Sequence, residues 1–558
     1  MTSRTGGEIL VQSLCAQDAT LAFGVPGESY LAVLDALHDV ADRLRFIVCR
    51  NEGGAAYAAE AYGKLTGRPG IAFVTRGPGA SNAAIGIHTA QQDSTPLIVF
   101  VGQVGGDFVE REAFQEVDYR RMYGSIAKWV ASIDRVERIP EYVAHAYRTA
   151  MSGRPGPVVL ALPEDMLTAR ADCAIVPRVD AVPASVDPRA LAGVHALLAN
   201  ARAPLAIVGG SRWDGRAQEA MQRLAAAWRL PVAAAFRHQD LFDNRDPHYA
   251  GDLGLGVNPK LAARVRDADV LLVVGERLGE NVTGGYTLIE APLPRQALVH
   301  VHPGPEELGR VFQPAHAICA TPGAFIDAFA QWPAPEAPAW GDSAAAAHAE
   351  YATWQKHRGV PGSVDLWKIV LDLDAALPGD AIVTNGAGNY ATWMHRLHRY
   401  RGFRTQLAPY VGAMGYGVPA AIAAKLVHPG RVVVSWNGDG CFQMNGQELA
   451  TAVQYGLAIV FVVIDNGMYG TIRMHQEREY PARVSGTSIR NPDFAALARA
   501  YGAHGETVVA TAEFAPAFAR ARDAGKPALI HVKVDPQALT MGASLDALRA
   551  EGEARRRR

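Results

Sequence analysis

Two clusters of hard oxygen ligands are the strongest chemical signal in the chain: Gly438-Asp439-Gly440, and then Asp465-Asn466 after 24 intervening residues. A carboxylate and an amide oxygen suit Mg²⁺, which completes an octahedral shell with phosphate oxygens and water. The flanking Gly438 and Gly440 let a backbone come close to a diphosphate. Either cluster alone reads as a simple turn. Their frame argues otherwise, because Val432–Trp436 predicts a strand, Asn445–Tyr455 a helix, and Leu457–Ile464 a second strand. Such a strand–helix–strand unit places both loops at the carboxyl edge of neighbouring parallel strands, where open α/β sheets bind ligands. A second acid, Glu52, stands between the predicted strand Phe46–Cys49 and an Ala-rich predicted helix, Gly53–Gly63. By itself it reads as an acid favourably placed at a helix N-terminus. Met414 lies in a Gly-rich loop, Gly412 to Gly417, ahead of Pro419; elsewhere a methionine is most often core filler. His88, on the helix after the Gly77–Asn82 loop, reads equally as a satisfied helix residue or a proton carrier.

The elements that must carry these residues follow from the pattern of the whole chain. Its 558 residues exceed what one core supports, so several domains are expected. Short Val/Ile-rich runs alternate with longer Ala-rich stretches, the pattern of parallel sheets wrapped by helices. Further strands are expected at Ile71–Thr75, Leu97–Val101, Val158–Leu162, Leu205–Val208, Val270–Val274, Leu298–His302, Ala381–Thr384 and Ala528–Val534. Proline-rich stretches at Ile175–Pro188 (with Pro177, Pro183 and Pro188) and Trp332–Pro361 (with Pro333, Pro335, Pro338 and an Ala run) read as linkers. The expectation is an α/β protein of three doubly wound parallel-sheet domains, at residues 1–170, 190–330 and 362–540.

Composition excludes several function classes. With 54 basic against 56 acidic side chains, phosphate-backbone binding does not dominate, and the run Arg555–Arg558 reads as a solvated end; no nucleic-acid partner is expected. The longest apolar runs are strand-length, short of the ~20 residues that span a membrane. Met1–Leu10 carries Arg4 and Glu8 and does not read as a secretory leader, and five scattered cysteines form no CxxC pair. A reduced cytoplasmic location is expected.

Taken with further motifs, the chain resembles the thiamine diphosphate (ThDP) enzymes, and within them the acetolactate synthase group. The resemblance rests on Arg50-Asn51-Glu52-Gly53-Gly54-Ala55-Ala56, Gly77-Pro78-Gly79-Ala80-Ser81-Asn82, Ala113-Phe114-Gln115-Glu116-Val117-Asp118, Gly412-Ala413-Met414-Gly415 and the Gly-Asp-Gly motif. It implies a pyrimidine-binding N-terminal domain, a central Rossmann-like domain and a diphosphate-binding C-terminal domain. It further implies that Asp439, Asn466 and the Met468 carbonyl bind Mg²⁺, and that Gly388, Asn389 and Tyr390 contact the diphosphate, with Gly412, Gly438, Gly440 and Cys441 also at the cofactor. The family more often has Gln-His where Asn389-Tyr390 stand. Glu52 would hydrogen-bond the aminopyrimidine ring and promote its imino tautomer, and Met414 would support the bent cofactor. Asn82, Phe114 and Gln115 would line the substrate end, Gln115 as a catalytic residue, with His475 and Gln476 as loop candidates for the same pocket.

The implied activity is decarboxylation of a 2-keto acid such as pyruvate and transfer of the acyl-anion unit to an acceptor carbonyl. The alternative on the same cofactor is a decarboxylase or lyase of the 2-hydroxyacyl-CoA lyase or benzaldehyde lyase type. A nicotinamide dehydrogenase lacks a clean GxGxxG turn here, and an inert subunit conflicts with intact Glu52, Asp439 and Asn466. Two departures bear on substrate and cofactor. Asn281 occupies the place where the family has an arginine for the second keto acid's carboxylate, and His475 replaces a substrate-selecting tryptophan; a neutral amide forms no bidentate ion pair. FAD-binding relatives carry acids where this chain has His300-Val301-His302-Pro303, so bound FAD and an empty central domain both stand as readings. Because Glu52 and Asp439 fall in different domains, the cofactor is expected to bridge two of them, in a homodimer or homotetramer with shared active sites.

Overall fold

Each of the three apolar-run series becomes one six-stranded, wholly parallel sheet in the computed structural model, which describes residues 3–182 and 186–557. Pro183 of the first expected linker and Arg558 of the basic tail lie outside these residues. The first sheet contains, in chain order, Leu21–Gly24, Arg45–Val48, Gly70–Val74, Leu97–Gln103, Trp129–Ser132 and Pro157–Pro163. Numbered one to six, they lie side by side in the order 2-1-3-4-6-5. The central sheet contains Pro204–Val208, Val232–Ala234, Tyr249–Asp252, Val270–Val274, Ala297–His302 and His316–Cys319, in the order 3-2-1-4-5-6. The third contains Ile382–Asn385, Gln406–Leu407, Val433–Gly438, Val460–Asp465, His504–Val508 and Ala528–Lys533, again in the order 2-1-3-4-6-5.

The inner strands are buried on both faces, as parallel sheets covered by helices require. Gly70–Val74, Pro157–Pro163, Val270–Val274 and Val433–Gly438 have no exposed residue. The helices complete three cores. Tyr30, Phe73 and Phe100 stack in the first, Trp228, Phe325 and Phe329 fill the second, and Trp367, Trp393 and Trp436 fill the third. Each such side chain contributes roughly 1.5–3 kcal/mol by leaving water.

By contact density the chain forms two units. One comprises Met1–Val182, Pro409–Pro429 and Asn445–Leu457, and so holds the first sheet. The other comprises Pro183–Ala408, Gly430–Met444 and Ala458–Arg558, and holds the central and third sheets.

Two expectations are corrected. The stretch Trp332–Pro361 is not a plain linker, since Ser343–Trp354 is a helix with Ala344, Ala347 and Tyr351 buried. Its alanines are the strongest helix formers, and Tyr351 meets Tyr249 edge-on at 4.9 Å between ring centroids. The expected helix Asn445–Tyr455 is broken: a helix begins at Asp439 itself and runs to Asn445, a 3₁₀ turn covers Gly446–Glu448, and Leu449–Gln454 resumes. Among the described residues no helix is long and apolar enough to cross a membrane.

Candidate active site

In the first unit the strand Arg45–Val48 leads into the helix Glu52–Thr66, whose cap is Asn51, with Oδ1 accepting from the Gly53 amide at 2.8 Å. Glu52 is thus the first helical residue, where the exposed amides favour a negative charge. Its Oε2 accepts from Asn82 Nδ2 at 2.9 Å, on the helix Pro78–Asp93. The expected Gly77–Asn82 loop is thus helix from Pro78 onward, and Glu52 faces its first turns. Burial, and next the Glu52 charge, push the nearby Tyr30 phenol up. Gln115 comes to Gly77, which caps this helix. It adopts a left-handed backbone (φ 64°), uncommon for a residue of its type, and a methyl group added at Gly77 (φ 49°) would stand 2.8 Å from its carbonyl oxygen. Phe114 beside it is 71% exposed. His88 is half-buried on the same helix as Asn82.

Two groups that the sequence did not reveal hold this unit's site segments. Glu448, buried on the 3₁₀ turn, accepts from the amides of Arg50 and Asn51, each at 2.9 Å, and from Thr451 Oγ1 at 2.6 Å. It fixes the main chain immediately before Glu52. Asp93 accepts from the Val411 amide through Oδ1 (2.9 Å) and from the Tyr410 amide through Oδ2 (2.7 Å), and also pairs with Lys64. Lys64 lies 3.2 Å from Glu60, which accepts from Tyr416 Oη and Thr95 Oγ1, each at 2.6 Å. The Met414 carbonyl accepts from Tyr57 Oη at 3.2 Å. The Gly412–Gly415 loop is therefore clamped on both sides of half-buried Met414.

In the second unit Asp439 follows the strand Val433–Gly438 and Asn466 follows the strand Val460–Asp465, so adjacent strands bring them to one edge. Asp439 Oδ1 accepts from the Gly440 amide (2.8 Å), and Oδ2 from the Gly467 amide (2.9 Å) and Asn491 Nδ2 (2.7 Å). The same Asn491 Nδ2 donates to Asp465 Oδ1 at 2.7 Å, while Asp465 Oδ2 meets His531 Nε2 at 2.8 Å. Burial and the neighbouring Asp465 charge push Asp439 up to about 6. Asp465 is also buried, but hydrogen bonds from His531 and Asn491 outweigh that and hold it below the usual range. Asn491 and His531 are separated from the motif by long stretches of chain and carried no local signal.

The family resemblance implies a metal here. Among the described residues no cluster of three His, Cys, Asp or Glu side chains could hold one. What Asp439 offers is different: a buried carboxylate charged at a cost, beside an amide oxygen on Asn466 and the main chain of Met468. That set fits a hard cation whose other ligands are phosphate oxygens. The Met468 amide donates to Asn466 Oδ1 at 3.2 Å, which orients that side chain.

Gly388 precedes the helix Asn389–Leu397. Asn389 donates its amide to Thr471 Oγ1 (3.0 Å), and Tyr390 Oη donates to Cys441 Sγ (3.0 Å) and accepts from the Gly386 amide (3.1 Å). The Tyr390 ring lies on Gly438, where an added methyl would be 2.5 Å from it. His475 and Gln476 are not on a loop but on the helix Gly470–Glu479; the sequence there lacks the apolar stripe that would have signalled one. His475 is exposed, whereas Gln476 is bonded to the Ser485 carbonyl (2.7 Å) and Thr487 Oγ1 (3.3 Å). Asn281 is half-buried in the turns after the central sheet's fourth strand.

Three family models match successive stretches of the chain. Residues 4–122 match the N-terminal TPP binding domain of thiamine pyrophosphate enzymes, residues 191–329 the central domain, and residues 386–532 the C-terminal TPP binding domain. Three domains in that succession are the make-up of a thiamine pyrophosphate enzyme. Acetolactate synthase isozyme 2 large subunit of Escherichia coli is 32% identical over 537 residues, covering 95% of each chain. The acetolactate synthase large subunit of Corynebacterium glutamicum is 30% identical, over 93% of this chain and 85% of its own. The mitochondrial acetolactate synthase catalytic subunit of Saccharomyces cerevisiae is 29% identical, over 95% and 81%. The chain belongs to the thiamine pyrophosphate enzyme family, in the acetolactate synthase group.

Proposed function

We propose that the chain is a ThDP-dependent carboligase that takes a 2-keto acid donor such as pyruvate and an acceptor carbonyl. The observation that carries this reading is the pair of loops bearing Asp439 and Asn466 at one sheet edge, in a chain that also presents Glu52 at a helix start. When bound, ThDP supplies the electron sink that lets a 2-keto acid lose CO₂ and pass on its acyl-anion equivalent. The protein's part is to bind, orient and move protons. Asp439, Asn466 and the Met468 carbonyl hold Mg²⁺ and through it the diphosphate, with Gly388, Asn389, Tyr390, Gly438, Gly440 and Cys441 shaping the seat. Glu52, kept in place by Asn82, would carry a proton to and from the aminopyrimidine of the bound cofactor. Met414 would lie against the cofactor, and Phe114, Gln115, Asn82 and His475 would line the substrate end. Residues 1–170 then serve the pyrimidine and residues 362–540 the diphosphate, in a cytoplasmic homodimer or homotetramer.

Asn281 bears on the acceptor. A neutral amide at this position favours an acceptor without a carboxylate, such as an aldehyde. The test supplies ThDP and Mg²⁺ and analyses products from pyruvate alone and from pyruvate with a panel of aldehydes. Hydroxyketone formed with aldehydes supports the reading. Rapid acetolactate formation from pyruvate alone would refute the neutral acceptor, and free aldehyde as the sole product would replace the carboligase by the decarboxylase. In Glu52→Gln turnover should fall by two orders of magnitude or more, about the contribution of a placed proton acceptor.

A further inference from the structure

The strand order 3-2-1-4-5-6 of the central sheet is that of doubly wound dinucleotide-binding sheets, which take their ligand outside the carboxyl ends of the strands where the order reverses. Here the reversal lies between Pro204–Val208 and Val270–Val274. The frame thus implies a dinucleotide, and FAD is the one that the family resemblance leaves open. The side chains at the crevice do not fit one.

The first turn reads Gly209-Gly210-Ser211-Arg212-Trp213-Asp214-Gly215. A pyrophosphate turn needs glycine at its third and sixth positions, for close backbone approach and helix packing, and leaves the helix N-terminal amides to the phosphates. Ser211 and Asp214 hold those two positions. Asp214 also caps the helix Gly215–Trp228, with Oδ1 accepting from the Ala217 amide at 2.8 Å. A carboxylate already sits where the pyrophosphate's negative charge would go. Trp213, 5% exposed, donates Nε1–H to the Gly209 carbonyl at 2.8 Å, and a methyl added at Gly275 would stand 2.9 Å from that nitrogen. From the other side of the reversal comes Glu276, 1% exposed. A methyl added at Gly209 would lie 2.6 Å from Glu276 Oε2 and 2.5 Å from Ala235 Cβ, so the glutamate side chain packs against the ends of the first and second strands. The Glu276 side chain and the Trp213 indole thus fill the space beside the turn, and the Asp214 carboxylate takes a helix-start amide that a pyrophosphate would use.

We propose that Glu276, Trp213 and Asp214 close the dinucleotide crevice of this chain, and that its central sheet takes neither FAD nor a nicotinamide dinucleotide. The domain keeps the strand order of a nucleotide-binding fold without its ligand seat.

The test uses the full-length protein and is independent of catalysis. Visible absorbance and mass spectrometry of released small molecules should find no flavin or nicotinamide, and titration of FAD fluorescence should give no saturable quenching. One flavin per chain, or saturable FAD binding by the parent, would overturn the proposal. In Glu276→Ala, which opens the space beside Gly209, ADP and FAD should bind at least about tenfold tighter than to the parent. No gain in that variant, if it melts like the parent, would overturn the assignment of the closure to Glu276.

Discussion

Replacing Glu477 by glutamine should loosen the helix Leu545–Arg556 without disturbing the third sheet. Glu477 is fully buried on the helix Gly470–Glu479 and accepts four hydrogen bonds: from Arg549 Nε and Nη2, from Arg473 Nε and from the Ala482 amide, all at 2.9 Å. The Arg549 pair, first among these, pulls its carboxyl from 4.5 to about 2. At ~1.4 kcal/mol for each tenfold change in proton affinity, the ionised form contributes ~3 kcal/mol at neutral pH. Removing one partner of a buried ion pair costs roughly 3–5 kcal/mol by mutation, so the two routes agree. The C-terminal helix is otherwise held by Leu545 and Leu548 and by Gly552, where an added methyl would stand 2.3 Å from the Glu477 carbonyl oxygen. Losing ~3 kcal/mol should speed amide exchange across residues 545–556 by about a hundredfold, read by hydrogen–deuterium exchange at neutral pH. The sign with pH follows from a depressed folded value. The stabilisation is fully present above the unfolded value of 4.5 and is lost as pH falls towards about 2, so the parent should loosen over that interval and Glu477→Gln should not loosen further. Unchanged protection of this helix in Glu477→Gln would refute the reasoning.

Asp93→Asn keeps an acceptor for one of the two amides at Tyr410 and Val411 but sets an NH₂ against the other or against Lys64. An unsatisfied buried amide and a lost charge partner should together cost about 3 kcal/mol, measured as a lower melting temperature with weaker ThDP binding through the Met414 loop. Gly54→Ala sets helix propensity, a gain of up to ~1 kcal/mol, against a methyl 2.6 Å from Glu448 Oε1. That carboxylate is held by three hydrogen bonds and cannot yield, so the clash should win by roughly 1–3 kcal/mol, seen as a lower melting temperature. Gly438→Ala presses on the Tyr390 ring, whose hydroxyl is fixed at Cys441 and Gly386; Mg²⁺-dependent ThDP affinity should fall, and an unchanged titration would count against the proposed seat.

The sequence made the centres of the sheets legible and their margins much less so. In the third sheet all four inner strands stand out as apolar runs, while the edge Gln406–Leu407 is buried but only two residues long and the edge His504–Val508 is mixed in polarity and half-buried. In the central sheet the three strands around the reversal were readable; Val232–Ala234, Tyr249–Asp252 and His316–Cys319 were not. Leu21–Gly24 is fully buried yet only four residues long, too brief to register as a period. At the site, Asp439, Asn466 and Glu52 were visible because the chemistry sits in contiguous motifs. Glu448, Asp93, Asn491 and His531 were not, because each acts on chain 26 to 398 residues away, and only folding joins donor to acceptor. The helix Ser343–Trp354 was hidden by the prolines before it and by alanines that show no apolar side.

The first and third sheets repeat one strand order, 2-1-3-4-6-5, and the central sheet does not. The chain therefore offers the same six loop positions twice, and equivalent positions hold different chemistry. After the third strand the first sheet carries Thr75-Arg76-Gly77-Pro78-Gly79, and the third sheet carries Asp439-Gly440. After the second strand the first sheet carries Glu52, and the third carries Ala408-Pro409-Tyr410 with no acid. The two frames thus share a layout of loops but place their acids at different positions. That layout also gives protein engineers a map of equivalences, in which a loop that one frame tolerates at a given position is a natural graft for its twin.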